Sequence, residues 1–164
     1  MKYFAYGSNM SQRRLKYRTP SVELIGVYLL KQYDLRFHKR SVDGSGKCDA
    51  FFTGDDNDLI WGLVYDIDEE EKLYLDTIEG VGQGYEIKTL TVQDETGEPL
   101  EVFMYVATDI DPSLKPYGWY KIHVLTGALE SFFPQSYLEK INEVDAVPDK
   151  NKSRELQELA IYKR

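Results

Sequence analysis

The stretch YFAYGSNM, residues 3–10, carries most of the information about how this chain begins to fold. Its aromatic and apolar side chains favour a short buried strand over residues 2–5. That strand runs without a spacer into YGSN, residues 6–9, a set of residue types that accept unusual backbone angles. Ser11 is a suitable N-cap for a helix that continues to Arg18. We therefore expect a strand, a tight turn and a helix in direct succession.

The YGSN turn has two interpretations. Backbone N–H groups at the start of a helix lack intrahelical acceptors, and beside Gly7 they can form a receptor for a carboxylate or a developing oxyanion. The same turn can equally be a structural corner that binds nothing. The residues of the turn leave both interpretations open.

Composition limits the class of protein. The 164 residues are 42% hydrophobic, which predicts one globular domain with a sizeable core. The formal net charge of −8 argues against a nucleic-acid surface, which needs a basic face. No long apolar run and no signal-peptide pattern are visible, so we expect a cytoplasmic protein that binds no membrane. The single cysteine, Cys48, excludes an internal disulfide and a cysteine zinc cluster.

The rest of the chain predicts an α+β fold. Helices are expected between Asp68 and Gly80, over 117–133 and over 135–144, and strands over 24–30, 33–37, 59–67, 85–92 and 100–107. The glycine- and serine-rich segment SVDGSGKCD, residues 41–49, is expected to be a mobile loop. Strands with inserted helices and a helical end indicate a curved sheet or small barrel. We expect one domain over residues 1–148 and a helical or flexible tail over 149–164; the oligomeric state stays open.

Most familiar catalytic motifs are missing. GVGQG, residues 80–84, follows a helix and precedes a strand, the reverse of a dinucleotide-binding loop. His38 and His123 lie far apart without metal-ligand spacing, so each is interpreted as a surface or packing histidine. Ser8 would need one of them as a base to act as a nucleophile. Cys48, in the expected loop, is interpreted as an incidental thiol.

Glu79 is the candidate acid–base group. It lies at the end of the predicted helix, ahead of three glycines in five residues. The negative end of the helix dipole disfavours a charged carboxylate, which favours proton exchange near neutral pH. A solvated glutamate in an acidic protein is the alternative, and Asp76 and Glu86 are neighbours able to take the same part.

These stretches together resemble the γ-glutamylcyclotransferase family, which belongs to the AIG2-like proteins. The resemblance rests on YFAYGSNM, on IWGLVYDI at 60–67, on LDTIEGVGQGYE at 75–86, and on YGWYKIHVLTGALE at 117–130 with FPQSYLEKI at 133–141. It runs from about Tyr3 to Val144. It implies a mixed β-barrel with flanking helices. It also implies an enzyme of the acyltransferase class that needs no cofactor or metal and acts on a small γ-glutamyl compound, an amine or an amino acid, giving 5-oxoproline and the free amine.

The resemblance also implies a set of site residues. The catalytic glutamate falls on Glu79, which would take a proton from the substrate α-ammonium group and return one to the departing amine. The substrate-binding positions fall on the opening motif and two later tyrosines: Tyr3, Phe4, Ala5, Tyr6, Gly7, Ser8, Asn9, Tyr85 and Tyr120. Met10 replaces the commoner leucine, and segments 41–49 and 80–84 match poorly. The leaving group therefore stays open.

Two alternatives of other kinds remain. A non-catalytic module could use the YGSN turn to bind a small amino-acid-like metabolite. An esterase or amidase would instead use Ser8 and would form a covalent acyl-enzyme.

Overall fold

The computed structural model describes residues 1–163. These residues form a closed five-stranded barrel, a separate two-stranded sheet and surrounding helices. The strands are β1 Lys2–Ala5, β2 Glu23–Lys31, β3 Tyr33–Arg40, β4 Gly46–Phe52, β5 Leu59–Asp66, β6 Tyr85–Gln93 and β7 Pro99–Ala107. The α-helices are α1 Gln12–Arg18, α2 Glu69–Glu79, α3 Gly118–Glu130, α4 Gln135–Asn142 and α5 Lys152–Leu159. Short 3-10 turns cover Ser8–Met10 and Ala160–Tyr162.

The barrel confirms the predicted α+β class. Its strands follow the order β1–β5–β2–β6–β7, and β7 closes it by pairing in parallel with β1 through Phe103 and Tyr3. β5 lies between β1 and β2 and pairs antiparallel with both. Ile60, Leu63 and Val64 on β5 are fully buried, because this central strand is covered on both faces. No helix among residues 1–163 has the length and apolar character needed to cross a membrane.

The prediction of a loop over residues 41–49 is wrong beyond Ser45. From Gly46 onward the chain forms β4, which pairs antiparallel with β3. Gly46 is there for close packing: a Cβ at this position would lie 2.2 Å from the Phe37 carbonyl oxygen. Its N–H donates to the Lys115 carbonyl, which fixes the start of the strand. A glycine needed for contact had the same sequence signature as a glycine needed for flexibility.

Helix α3 ends earlier than predicted, at Glu130 instead of Phe133. Phe132 has φ 56, a left-handed conformation that cannot continue a right-handed helix.

The last helix docks against α1 and α3 through polar contacts. Arg14 contacts Glu158, whose Oε2 lies 3.0 Å from Nε2 of the fully buried His123. The Tyr162 hydroxyl lies 2.6 Å from Nδ1 of His123 and 2.7 Å from the Ser11 hydroxyl. Ser11 is therefore the N-cap residue of α1 by position, but its side chain bonds to the tail and makes no cap bond. Burial lowers the pKa of His123 to about 4, so this histidine is neutral at neutral pH.

The boundary predicted at residue 148 falls inside a packed region. Asp149, the first residue of the predicted tail, is fully buried and accepts a hydrogen bond from Trp119 Nε1 at 2.9 Å. Arg154 donates to both of its carboxylate oxygens. The division into a domain and a tail stays a prediction.

Helix α3 presses directly on the turn that follows β1. A Cβ on Gly127 would lie 2.4 Å from the carbonyl carbon of Met10, so the two backbones are in contact. A Cβ on Gly118, in the same helix, would meet no atom within 4 Å. The two glycines form a matched pair: the packing requires a glycine at position 127, whereas position 118 has room for a larger side chain.

Gly127→Ala should therefore lower the free energy of unfolding by about 1–3 kcal/mol through overpacking. Gly118→Ala should leave it unchanged or slightly higher, because alanine has the better helix propensity. Chemical denaturation of both variants measures the difference. Equal stability of the two variants would contradict the backbone contact between α3 and the Ser8–Met10 turn.

Candidate active site

A small cleft opens where β1 runs into the YGSN turn. Its lining comes from the turn, four strands and two helices, and five of the lining residues are tyrosines. The lining residues are Tyr3, Tyr6, Gly7, Ser8, Asn9, Cys48, Glu79, Tyr85, Tyr105 and Tyr120. The structure thus brings together all of the predicted site residues except two. Phe4 and Ala5 do not line the cleft and are fully buried in the core.

Glu79 is held in a fixed position at this cleft. It is the last residue of α2, and Gly80, with φ 74, ends the helix there. Its side chain is 17% exposed. Asn9 Nδ2 donates to Glu79 Oε1 at 2.9 Å, and Arg18 Nη1 donates to the same oxygen at 3.2 Å. The turn after β1 and the end of α1, which both lie far from Glu79 in sequence, therefore orient its carboxylate.

Asn9 connects the parts of the site. Its amide nitrogen donates to the Tyr3 hydroxyl at 3.0 Å as well as to Glu79. Its amide oxygen accepts from Arg18 Nη1 at 3.2 Å. The side-chain amide of Asn9 thus donates both of its protons to other residues of the protein and accepts a hydrogen bond through its oxygen.

The tyrosine side chains are neutral hydrogen-bonding groups. Burial raises the pKa of Tyr3, Tyr6, Tyr85, Tyr105 and Tyr120 above that of free tyrosine. Burial also raises the pKa of the Cys48 thiol. Within the described chain, Glu79 is the one carboxylate that lines the cleft.

Hydrogen bonds fix the tyrosine walls. The Tyr85 hydroxyl donates to the Cys48 carbonyl at 2.6 Å, and the Cys48 N–H donates to the Tyr120 hydroxyl at 2.9 Å. The Tyr105 hydroxyl donates to Asp76 at 2.7 Å. Through these two bonds the main chain of Cys48 on β4 connects Tyr85 to Tyr120. Cys48 is therefore a structural part of the cleft and not an incidental loop thiol.

Backbone donors remain available at the turn. The N–H groups of Met10 and Ser11 donate to the carbonyls of Gly7 and Ser8 within the 3-10 turn. The N–H groups of Ser8 and Asn9, which precede them, have no acceptor in residues 1–163. Both residues line the cleft, so these donors are free for a ligand.

The other candidate groups lie outside the cleft. Asp76 bonds to Tyr105 and to Lys72 Nζ, and Glu86 is exposed. His38 bonds to Asp49 at 2.7 Å and His123 bonds to the docked tail, so neither histidine serves Ser8. Residues 1–163 contain no group of three His, Cys, Asp or Glu side chains arranged to hold a metal ion.

Comparison with known proteins identifies the family. The sequence model of the AIG2-like family matches residues 59–141. The γ-glutamylcyclotransferase of Mus musculus is 31% identical over 163 residues, which cover 96% of this chain and 86% of that protein. The Bos taurus γ-glutamylcyclotransferase is 30% identical with the same coverage. The chain belongs to the AIG2-like, γ-glutamylcyclotransferase family. A solved structure named γ-glutamyl cyclotransferase superposes with a TM-score of 0.87 at 28% identity, covering 99% of this chain and 98% of that one.

Sequence reasoning missed two residues that line the cleft of this family member, Tyr105 and Cys48, and one residue, Arg18, that contacts Glu79 from outside it. Arg18 has the ordinary signature of a cation at a helix C-terminus, which hid its contact with Glu79. Tyr105 lies in the apolar run VFMYVA of β7 and has the pattern of a core residue. Cys48 was assigned to a loop. Each becomes a site residue only through a long-range contact.

Gly7 allows three elements of this family fold to meet. A Cβ on Gly7 would lie 2.9 Å from Cys48 Cβ and 3.5 Å from the Tyr120 hydroxyl. The turn therefore touches β4 and the tyrosine of α3 at this point. Any larger residue must move the turn away from the cleft wall.

Gly7→Ala should weaken binding of 5-oxoproline, the product that the family resemblance implies, by about 10-fold or more, because the added methyl displaces the turn. Adding Cys48→Gly to the same chain removes the opposing Cβ and should restore part of the affinity. Isothermal titration calorimetry on the two variants and wild type tests both expectations. Wild-type affinity in the single variant would show that this contact does not shape the cleft.

Proposed function

We propose that this protein is a cyclotransferase that converts γ-glutamyl amines or γ-glutamyl amino acids to 5-oxoproline and the free amine. The names of its relatives support the reaction type. The observation that carries the proposal is the fixed Glu79 carboxylate, which shares a small cleft with the free donors of the YGSN turn. This is the pairing of a proton acceptor with an anion receptor that the reaction requires.

The reaction asks little of the protein beyond positioning and proton transfer. The α-amino nitrogen of the substrate attacks its own γ-carbonyl carbon, and a carbon–nitrogen bond forms to close the ring. The carbonyl oxygen becomes an oxyanion. The bond from the same carbon to the leaving nitrogen then breaks. Much of the rate acceleration comes from holding the flexible glutamyl chain in the attacking geometry, because the chain then loses its conformational freedom before the reaction.

Glu79 is proposed to move the protons. It accepts a proton from the α-ammonium group, which frees the nitrogen lone pair for attack. It then donates that proton to the leaving nitrogen, which departs as a neutral amine. The ring nitrogen loses its second proton as the lactam forms, and the released amine takes up this proton to become an ammonium ion. Asn9 and Arg18 act as positioning residues, since each donates to Oε1 of this carboxylate.

The turn and Tyr3 are proposed to bind the negatively charged oxygens. The N–H groups of Ser8 and Asn9 suit a carboxylate or an oxyanion. The Tyr3 hydroxyl accepts a bond from Asn9 and keeps its own proton for a substrate oxygen. Burial raises the pKa of Tyr3, which keeps that proton in place at neutral pH.

Glu79→Gln should reduce kcat for release of 5-oxoproline by at least about 100-fold, the usual scale for loss of a general acid–base group. The amide is nearly isosteric and can still accept the bonds from Asn9 and Arg18, so the fold should persist. Glu86→Gln, which removes an exposed carboxylate nearby, is the matched control and should retain wild-type turnover.

The assay follows 5-oxoproline by chromatography with γ-glutamyl-alanine as substrate, and circular dichroism checks the fold. Near-normal turnover in Glu79→Gln would remove Glu79 from the mechanism. Tight binding of 5-oxoproline by wild type without any turnover would instead favour a non-catalytic binding module.

A further inference from the structure

One sheltered charge pair takes no part in the mechanism proposed above. Arg14, in the first turn of α1, contacts the carboxylate of Glu158 on α5, and its side chain is 11% exposed. Its Nη1 also lies 3.1 Å from Nε2 of His123. Burial lowers the pKa of His123 and keeps this histidine neutral at neutral pH, so Glu158 is the one negative charge that pairs with Arg14 in residues 1–163. The C-terminal helix therefore neutralises a sheltered arginine of α1.

Arg14 shares one face of α1 with Arg18, the arginine that orients Glu79. The two arginines are four residues apart, a spacing that places side chains next to each other on a helix. Two positive charges at this spacing repel each other, so each needs a carboxylate of its own. Arg18 has Glu79, and Arg14 has Glu158. These four side chains, which we call the α1 charge cluster, carry two positive and two negative charges.

The members of the α1 charge cluster act on one another. Burial lowers the pKa of Arg18, and the charge of Arg14 adds to this shift. The charges of Glu79 and Glu158 oppose it. The buried Nε of Arg14 has no hydrogen-bond partner among the described residues, so this guanidinium depends on the contacts of its Nη1. Without Glu158 a sheltered guanidinium loses its counter-charge, and Glu79 is the carboxylate left in the cluster.

We propose that Glu158 is a positioning residue for the acid–base group. It neutralises Arg14 and so keeps that arginine from competing for Glu79. Asn9 and Arg18 then remain the donors to the Glu79 carboxylate. The C-terminal helix thus helps to set the geometry of proton transfer, although Glu158 does not line the cleft. This inference rests on the proposed cyclotransferase activity and adds a residue far along the chain to its proton-transfer apparatus.

Glu158→Gln removes the charge and keeps the size of the side chain. Its kcat for release of 5-oxoproline from γ-glutamyl-alanine should fall by about 10-fold or more, because a displaced acid–base group transfers protons poorly. KM should change by less than kcat, since neither Arg14 nor Glu158 lines the cleft. Glu155→Gln, on the same helix, removes a carboxylate that pairs with Lys152 at the surface and should keep wild-type kcat.

Exchanging the two charges separates positioning from docking of the C-terminal helix. Arg14→Glu combined with Glu158→Arg retains an ion pair between α1 and α5. Position 14 lies in the first turn of α1 and position 158 in the last turn of α5, so each new charge has the sign that its helix end favours. The new carboxylate at position 14 also lies four residues before Arg18 and draws that arginine away from Glu79. The exchange should therefore keep the melting temperature at or above that of wild type and still lower kcat by about 10-fold.

The outcomes separate this inference from the proposed activity. Wild-type kcat in Glu158→Gln, or in the exchanged variant, would overturn the positioning role and leave the cyclotransferase activity standing. Release of no 5-oxoproline by the wild-type protein would overturn the activity and the inference together. A lowered kcat in both variants, with Glu155→Gln unchanged, is the result that supports the role. The exchanged variant retains its ion pair, so it decides the question even if Glu158→Gln does not fold.

Discussion

The site depends on one cluster of hydrogen bonds among Asn9, Arg18 and Glu79. Asn9 and Arg18 both donate to the same carboxylate oxygen, and Arg18 also donates to the oxygen of Asn9. The three residues come from the turn after β1, the end of α1 and the end of α2. None of these elements could shift by a few ångströms without breaking a contact to a sheltered charge, which is among the more costly losses in a protein. The cluster therefore fixes the Glu79 carboxylate relative to the turn.

Close backbone approaches keep that cluster in place. Glycines at three points remove the Cβ that would separate neighbouring elements: Gly62 below the Phe4 ring, Gly127 against Met10, and Gly7 against Cys48. The first locks β1 onto β5, the second presses α3 onto the turn, and the third brings β4 to the cleft. The wall tyrosines are then tied to main-chain or carboxylate groups, so the cleft is largely preformed. A preformed cleft suits a reaction whose main cost is ordering the substrate.

Much of the fold could be predicted from local patterns. β5 is apolar at nearly every residue, and α2 lies between an Asp68 cap and Gly80, so both were predicted close to their true bounds. The YGSN turn was placed correctly because its residue types are specific. β4 was missed because a glycine used for contact with Phe37 looks the same as one used for flexibility. Arg18, Cys48 and Tyr105 were missed because their part in the cleft depends on partners far along the chain, which no local pattern encodes.

The central claim is that the protein guides an intramolecular attack and supplies no nucleophile of its own. The most direct measurement is product analysis after reaction of γ-glutamyl-alanine with wild-type protein in heavy-oxygen water. Intramolecular attack predicts 5-oxoproline free of heavy oxygen, with an equal amount of alanine. Glutamate carrying heavy oxygen in its γ-carboxylate would contradict the account, because it would show that water or an acyl-enzyme, and not the substrate amine, attacks the carbonyl carbon.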